Sequence, residues 1–168
     1  MSIALTTPIS DSVIKALKVG DTVTISGQIY AGRDAVLPKL VKLAGQGQAE
    51  ARGIPLRGGV MFHSAVSVAG VGPTSSNKPE IESSIGPLSA FGVKLHLGKG
   101  ALRPETIRLL AENNAVFAVI PPVTAILKHL TERIETAAFP EEGMEALHRL
   151  WVRGYPAIIA AARGESLL

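Results

Sequence analysis

The chain has 168 residues, which is the usual length of one domain. Hydrophobic residues make up 46% and charged residues 18%, a composition typical of a packed globular protein that excludes a disordered chain. Lysine and arginine number 17 against 14 acidic residues, and the resulting net charge of +3 suits small anions better than nucleic acid. We therefore expect a single domain over residues 1–168 and no nucleic-acid partner.

The absence of cysteine excludes several kinds of site. It removes disulfides, thiolate metal sites, a cysteine nucleophile and any iron-sulfur cluster held by this chain's own thiolates. The first ten residues lack the basic region and the long apolar stretch of a secretory signal. Apolar runs also fall far short of the roughly 20 residues needed to cross a bilayer. We expect a cytoplasmic location and no membrane partner.

The first half of the chain alternates short predicted elements. Ser10 precedes a predicted helix over Asp11–Leu17, and the period-two pattern of Thr22–Tyr30 predicts a half-buried strand. Asp34 is predicted to cap the next helix, which carries Pro38 in its first turn. Residues 45–59 are predicted to form a loop. The following apolar run, 59–71, predicts a strand that leads into a polar turn starting at Gly72.

The second half repeats this alternation. Predicted strands cover Val93–Leu97, Ala115–Ile120, Arg133–Phe139 and Ala157–Ala161, and predicted helices begin at Pro104, Pro121 and Glu141, the last running to Val152. Alternating strands and helices predict the α/β class, with a mixed sheet and flanking helices.

Polar loops follow three of the predicted strands, at Gly32-Arg33-Asp34, Gly72-Pro73-Thr74-Ser75-Ser76 and Gly98-Lys99-Gly100. A cation or hydroxyl at the junction of a strand and a helix can bind a small anion. A surface ion pair explains the first loop equally well, and an ordinary turn explains the second. The third lacks the remaining positions of a Walker A loop, so it supports nucleotide binding only weakly.

Other catalytic signatures are missing from the sequence. The four histidines show no i,i+4 pair and no H-E-x-x-H motif, and they are predicted to be ordinary surface or strand residues: His63, His96, His129 and His148. No G-x-S-x-G elbow occurs, so a hydrolase triad is unsupported.

Taken in order, five segments of the chain resemble one family. They are 17–21, 27–35, the loop at Gly72–Ser76, the loop at Gly98–Gly100, and the run from Phe139 to Leu147. The family is the β-type subunit, or C-terminal domain, of the class I fumarase and L(+)-tartrate dehydratase iron-sulfur hydro-lyases. The resemblance covers roughly residues 10–162 and implies a single domain of the swivelling β/β/α type.

The resemblance also implies a division of labour between two subunits. The α-type subunit of the family carries a [4Fe-4S] cluster on three cysteines, while the β-type part holds a small dicarboxylate substrate. No cofactor is therefore expected on this chain alone, and its expected partner is a cysteine-bearing α subunit. We expect a hetero-oligomer, for which a dimer of heterodimers is one arrangement.

Residue by residue, the resemblance assigns roles to five side chains. Arg33 matches an arginine that binds a substrate carboxylate, and Thr74 matches the threonine proposed as catalytic base. Lys99 matches the lysine of the glycine loop and is assigned to catalysis. Ser75 and Lys78 are assigned to substrate binding, and Lys78 stands where the family usually has arginine. The implied reaction is the reversible dehydration of a hydroxy-dicarboxylate, with (S)-malate to fumarate and water favoured.

Two departures from the family pattern keep alternatives open. Leu37, followed by Pro38, stands where the family commonly has a histidine, and Lys78 cannot grip a carboxylate with a guanidinium fork. Tartrate or a methylated malate is therefore an alternative substrate. A non-catalytic paralogue that serves as an anion-binding or assembly module is the alternative function, and an unrelated nucleotide-binding domain is a third.

Overall fold

A computed structural model describes residues 2–64, 66–67, 70–71, 82–120 and 124–167. Within these residues a mixed sheet of eight strands forms the centre of the molecule. Its strands are β1 (Ile3–Thr6), β2 (Thr22–Ala31), β3 (Val60–Phe62), β6 (Leu95–Gly98), β7 (Val116–Val119), β8 (Thr131–Ala138), β9 (Leu147–Ala162) and β10 (Glu165–Ser166). A separate antiparallel pair consists of β4 (Val66–Ser67) and β5 (Gly70–Val71). The α/β class and the mixed sheet are as predicted.

Five helices of the described residues connect the strands. They are α1 (Asp11–Ala16), α2 (Leu37–Gly45), α3 (Ile85–Ala90), α4 (Pro104–Glu112) and α5 (Thr124–His129), and short 3-10 turns lie at Glu50–Arg52 and Pro140–Glu145. None of the helices in the described part of the chain is long and apolar enough to cross a membrane. The hydroxyl of Ser10 accepts a hydrogen bond from the amide of Val13, so the predicted start of α1 is confirmed.

The strand pairings form a closed circuit. Strands β2, β3, β6 and β7 are paired in parallel in that order, and β9 pairs antiparallel with both β7 and β2. Strand β9 has 16 residues, long enough to run beside β2 on one side and beside first β8 and then β7 on the other. Each of the five strands in this circuit is therefore paired on both edges over at least part of its length.

Apolar side chains from all five strands of the circuit meet in one buried cluster, represented by Ile25, Phe62, Leu97, Ala118 and Ile159. The rings of Phe62 and Tyr155 contact each other edge to face in this cluster, with centroids 6.3 Å apart. A second cluster packs α2 and α3 against the other face, and its members include Leu40, Met61 and Leu88. Helices α2 and α3 thus cover one face of the parallel strands, and the other face lies in the first cluster, where Ile14 of α1 and Leu127 of α5 also pack.

Several sequence predictions need correction. The helix predicted from Glu141 to Val152 is instead the 3-10 turn at Pro140–Glu145 followed by β9. Long-range pairing with β2 and β8 outweighs the local helical stripe there, because side chains of β9 are buried on both faces. The cap of α2 is Val36, which makes no side-chain cap bond, and Asp34 does not cap it. Strand β1 and helix α3 were not predicted.

Candidate functional site

The carboxyl ends of β2, β3 and β6 lie side by side at one edge of the sheet. The backbone amide of Gly32 donates to the carbonyl of Phe62 (3.0 Å), and the amide of His63 donates to the carbonyl of Leu97 (2.9 Å). Since neighbouring strands are about 4.8 Å apart, the loops beginning at Gly32 and Gly98 are separated by two strand spacings, about 10 Å. Two of the three polar loops identified from the sequence are thereby brought to the same edge.

Arg33 follows β2 at this edge and is mostly buried, with 18% of its side chain exposed. Its Nη1 lies 3.7 Å from Oε1 of Glu145, and its Nε lies 4.0 Å from Oδ1 of Asp34. Both distances exceed a normal hydrogen bond. The buried Nε accordingly has no hydrogen-bond partner within the residues that the structure describes. Arg33 therefore keeps donor capacity for an anion.

A second link joins the start of α2 to the 3-10 turn that carries Glu145. The ammonium of Lys39 lies 3.5 Å from a carboxylate oxygen of Glu141 and 3.5 Å from one of Glu142. The same ammonium sits over the ring of Phe139, 5.5 Å from its centroid. The segment 139–145 is therefore fixed against the segment that follows β2.

Lys99 follows β6 and is exposed. Two glycines shape its loop. A Cβ added at Gly98 would come within 3.2 Å of the ring of Phe117, and Gly100 has a φ of +85°, in the left-handed region that favours glycine. The ammonium of Lys99 is consequently presented at the end of a rigid strand.

Glu82 ties the Lys99 loop to helix α3. Its Oε2 accepts hydrogen bonds from the amide of Arg103 (2.7 Å), the Nε of Arg103 (3.2 Å) and the hydroxyl of Thr106 (2.6 Å). Burial alone raises the pKa of Glu82, but these hydrogen bonds outweigh burial and the pKa lies below its ordinary value. A carboxylate of the chain itself therefore already occupies the start of α4.

Two of the histidines are buried and paired, which corrects the prediction that they are ordinary surface or strand residues. His63 directly follows β3 and His96 lies within β6, and the two rings share a hydrogen bond of 3.0 Å. Burial lowers the pKa of His63 to about 4. Burial and the charge of His63 also lower the pKa of His96 well below its usual range. No sequence motif signalled this pair, because its members are 33 positions apart.

Three of the predicted site residues, Thr74, Ser75 and Lys78, lie outside the described residues. Of the predicted site residues that are described, Arg33 and Lys99 lie at one edge of the sheet, as the strand order requires. Within the described ranges, no group of three or more histidine, aspartate or glutamate side chains is placed to hold a metal ion.

Comparison with known proteins gives the family. The sequence model of the family described as "Fumarase C-terminus" matches residues 1–168. This chain belongs to the fumarase C-terminus family. The family resemblance seen in the sequence is thereby confirmed.

Named relatives of the chain fall into two groups. One is "Putative fumarate hydratase class I" of Geobacillus stearothermophilus, 29% identical over 98% of this chain, which spans only about a third (33%) of that relative. Another is "L(+)-tartrate dehydratase subunit beta" of Escherichia coli strain K12, 31% identical over 88% of this chain and 75% of the relative. A third relative, from Methanocaldococcus jannaschii and 26% identical, also has a name ending in "L(+)-tartrate dehydratase subunit beta".

Two of the five segments that carry the resemblance, 27–35 and 139–147, contact each other through Arg33 and Glu145. Leu37, at the position where the family commonly has histidine, is fully buried in the cluster beneath α2. An apolar core residue therefore stands four positions after Arg33.

Proposed function

We propose that this chain is the β subunit of a two-subunit hydro-lyase that reversibly removes water from a small hydroxy-dicarboxylate. The favoured reaction is (S)-malate to fumarate and water, and tartrate is the second substrate to test. Arg33, Lys78 and Ser75 bind the substrate in this proposal, while Thr74 and Lys99 take part in the chemistry.

One observation carries the proposal: two cations follow the parallel strands β2 and β6 at one edge, with β3 between them, and the buried Nε of Arg33 has no partner among the described residues. A guanidinium with unused donors is suited to a carboxylate, which accepts two parallel hydrogen bonds. Lys99 adds a second positive charge at the same edge, where the carboxyl end of its strand β6 lies two strand spacings, about 10 Å, from that of β2. A molecule with a carboxylate at each end matches this pair of charges.

The chemistry of dehydration explains why fixed cations are needed. Removal of a proton next to a carboxylate increases the negative charge on that carboxylate. Cations that are already in position then stabilise the transition state more than the ground state. Arg33 and Lys99 would contribute in this way. An isolated threonine hydroxyl is a very weak base, so Thr74 would require a neighbouring cation that favours its deprotonated form.

A partner subunit is part of the proposal. The chain contains no cysteine, so a [4Fe-4S] cluster would have to be held by another chain. Two relatives carry the words "subunit beta" in their names, which supports a partner for this chain as well. When bound to that partner, the cluster would supply the Lewis acid that the departing hydroxyl needs.

Nucleotide binding at the glycine loop is disfavoured by Glu82. A phosphate at the start of α4 would meet the buried carboxylate that already accepts from the amide of Arg103 and the hydroxyl of Thr106. The negative charges of the phosphate and of the Glu82 carboxylate would repel each other. A phosphate-binding role for the Gly98-Lys99-Gly100 loop therefore has less support than a carboxylate-binding role for Lys99.

The test is to co-express the chain with its cysteine-bearing partner and to purify the complex without oxygen. We expect interconversion of malate and fumarate, or else dehydration of tartrate, and we expect Thr74→Ala to lower kcat strongly with a smaller effect on KM. The matched control is Arg108→Ala, which removes an exposed cation of α4 whose partner is Glu112. A pure complex that converts none of these acids would instead support the anion-binding or assembly module.

A further inference from the structure

A continuous line of hydrogen bonds runs beneath the site from β3 through β6 to α3. The Nε2 of His63 lies 3.0 Å from Nδ1 of His96, whose Nε2 lies 2.9 Å from the hydroxyl oxygen of Ser89. The hydroxyl of Ser89 donates to the backbone carbonyl of Ile85 at 2.8 Å. All three side chains are at least 96% buried. The line is therefore closed to bulk water.

The direction of every bond in this line follows from its last member. A carbonyl oxygen only accepts, so the single hydroxyl proton of Ser89 is used on Ile85 and the oxygen of Ser89 must accept from Nε2 of His96. A neutral imidazole has one N–H, so Nδ1 of His96 is unprotonated and accepts from Nε2 of His63. The remaining nitrogen of His63, Nδ1, is then an unprotonated acceptor.

The direction of these hydrogen bonds requires that the rings of His63 and His96 are neutral, and burial keeps them so. The pKa of His63 is lowered to about 4, and that of His96 is lowered as well, so neither ring takes up a second proton near neutral pH. The Nδ1 of His63 is itself buried and has no hydrogen-bond partner in the described part of the chain. A buried acceptor without a donor is destabilising, and structures keep such atoms mainly where a ligand or water completes them.

The position of His63 indicates which kind of group can donate a hydrogen bond to its Nδ1. His63 follows the strand that lies between β2 and β6, so it is placed between the segments that carry Arg33 and Lys99. Arginine and lysine can only donate, which suits carboxylates. The alcohol of a hydroxy acid also has a proton to donate, and neither cation can accept it. The unprotonated Nδ1 of His63 is an acceptor that carries no charge, unlike the carboxylates of Asp34 and Glu145 beside Arg33.

We propose that Nδ1 of His63 accepts a hydrogen bond from the alcohol hydroxyl of a hydroxy-dicarboxylate bound between Arg33 and Lys99. This inference rests on the proposed function and adds to it a residue that selects for the hydroxyl group. Succinate, a dicarboxylate without a hydroxyl, leaves the acceptor unpaired and binds more weakly for that reason. With fumarate, the water that adds to it in the reverse reaction donates in place of the alcohol. His96 and Ser89 are positioning residues, because they act only by fixing the direction of the line.

The first experiment measures the tautomers. Nitrogen-15 NMR of the full-length chain with labelled imidazoles should give Nδ1 unprotonated and Nε2 protonated for both His63 and His96. Addition of (S)-malate to the chain in complex with its partner should shift the Nδ1 signal of His63, whereas succinate, which has the same two carboxylates and no hydroxyl, should leave it unchanged. A proton on Nδ1 of His63, or equal shifts with the two acids, would overturn the inference. Equal shifts would identify a water molecule as the donor.

The second experiment uses variants of the complex. Glutamine at position 63 can still place an amide donor near Nε2 but has no atom at the Nδ1 position, whereas asparagine has a polar atom there. We expect His63→Gln to raise the KM for malate about tenfold, the equivalent of one lost hydrogen bond, and to leave succinate inhibition unchanged. We expect His63→Asn to lose less of this preference.

Two further outcomes separate the inference from the proposed function. Ser89→Ala leaves the ring of His63 in place but removes the hydroxyl that fixes the direction of the hydrogen bonds. We therefore expect a folded protein that loses part of its preference for malate over succinate. If the wild-type complex converts malate and His63→Gln weakens malate and succinate equally, the hydroxyl assignment is wrong and the hydro-lyase assignment stands. If the wild-type complex converts none of the hydroxy acids, the hydro-lyase assignment is wrong, and binding of malate over succinate still decides the role of His63.

Discussion

The carboxylate of Glu82 accepts a hydrogen bond of 2.6 Å from the hydroxyl of Thr106, across 24 positions of the chain. The same oxygen also accepts from the backbone amide of Arg103, so a single buried atom joins the segment that precedes α3 to the start of α4. The loop that carries Lys99 lies immediately before α4. The place of Lys99 therefore depends on a residue whose own side chain need not touch any substrate.

Replacement of Glu82 tests this dependence. We expect Glu82→Gln to lower the free energy of unfolding by about 2 kcal/mol, because hydrogen bonds to a charged, buried acceptor are lost or weakened. Urea denaturation monitored by circular dichroism measures the change. The control is Glu112→Gln, which removes an exposed partner of Arg108 and should change stability by less than about 0.5 kcal/mol. Equal effects of the two variants would show that the contacts of Glu82 contribute no more than a surface pair.

The guanidinium of Arg33 should be necessary for substrate binding. We expect Arg33→Ala to raise the KM of the complex about tenfold or more with a smaller change in kcat, and Arg33→Lys to restore only part of the loss because an ammonium cannot form the two-pronged contact. Steady-state kinetics on the complex measures both parameters. A loss confined to kcat would show that Arg33 acts on the transition state alone and does not hold the substrate in the ground state.

Acid should destabilise the fold through the buried histidines. The pKa of His63 is about 4 in the folded chain against an ordinary value of 6.5, so between these pH values the unfolded chain binds a proton that the folded chain does not. Stability is then fully present above pH 6.5 and falls as the pH drops toward 4, by about 3 kcal/mol for His63. His96 and the largely buried His148, whose pKa values burial also lowers, add to this loss.

The pH dependence can be assigned by substitution. Unfolding free energies measured from pH 7 to pH 4 should show a shallower dependence for His63→Gln than for the wild type. His129→Gln changes an exposed histidine at the end of α5 and should leave the slope unaltered. A wild-type stability that stays constant over this interval would contradict neutral burial of the pair.

Gly98 should resist even a small side chain. We expect Gly98→Ala to cost about 1 kcal/mol, because its Cβ would meet the ring of Phe117 at 3.2 Å and the ring must move. The matched control is Gly45→Ala at the end of α2, where the nearest atom would be 3.9 Å away and alanine favours the helix. Thermal unfolding compares the two variants, and a destabilised Gly45→Ala with an unaffected Gly98→Ala would refute the packing argument.

Local patterns in the sequence predicted most strands, but of β9, the strand that completes the sheet, they predicted only residues 157–161. The period-two pattern predicted a strand over Thr22–Tyr30, which lies within β2 (Thr22–Ala31). Residues 147–152 carry a stripe that also fits a helix, and their strand conformation comes from partners in β2 and β8. Helix α3 contains Gly86 and Pro87, both of which weaken a helical signal. Its contacts with Leu109 and Leu110 of α4 are tertiary and invisible to local patterns.

The residues of the candidate site that directly follow strands could be predicted from the sequence. Those that are brought together by tertiary packing could not. Arg33 and Lys99 each lie in a glycine-containing loop directly after a predicted strand, and parallel pairing brings such loops together. His63 and His96 show no motif, and their partnership arises because β3 and β6 are neighbours and α3 supplies Ser89. Glu82 was missed for the same reason, since its donors belong to α4.

The closed circuit of strands has a consequence for how the chain reaches its native state. Strand β9 pairs with β2 through contacts such as His148 with Ala31, more than a hundred positions apart, and contacts over such distances form slowly. Until β9 docks, β2 and β7 each present an unpaired edge that can recruit a strand of another molecule. Newly made chains are therefore vulnerable to aggregation for as long as β9 is missing, and conditions that delay its docking should lower the yield of native protein.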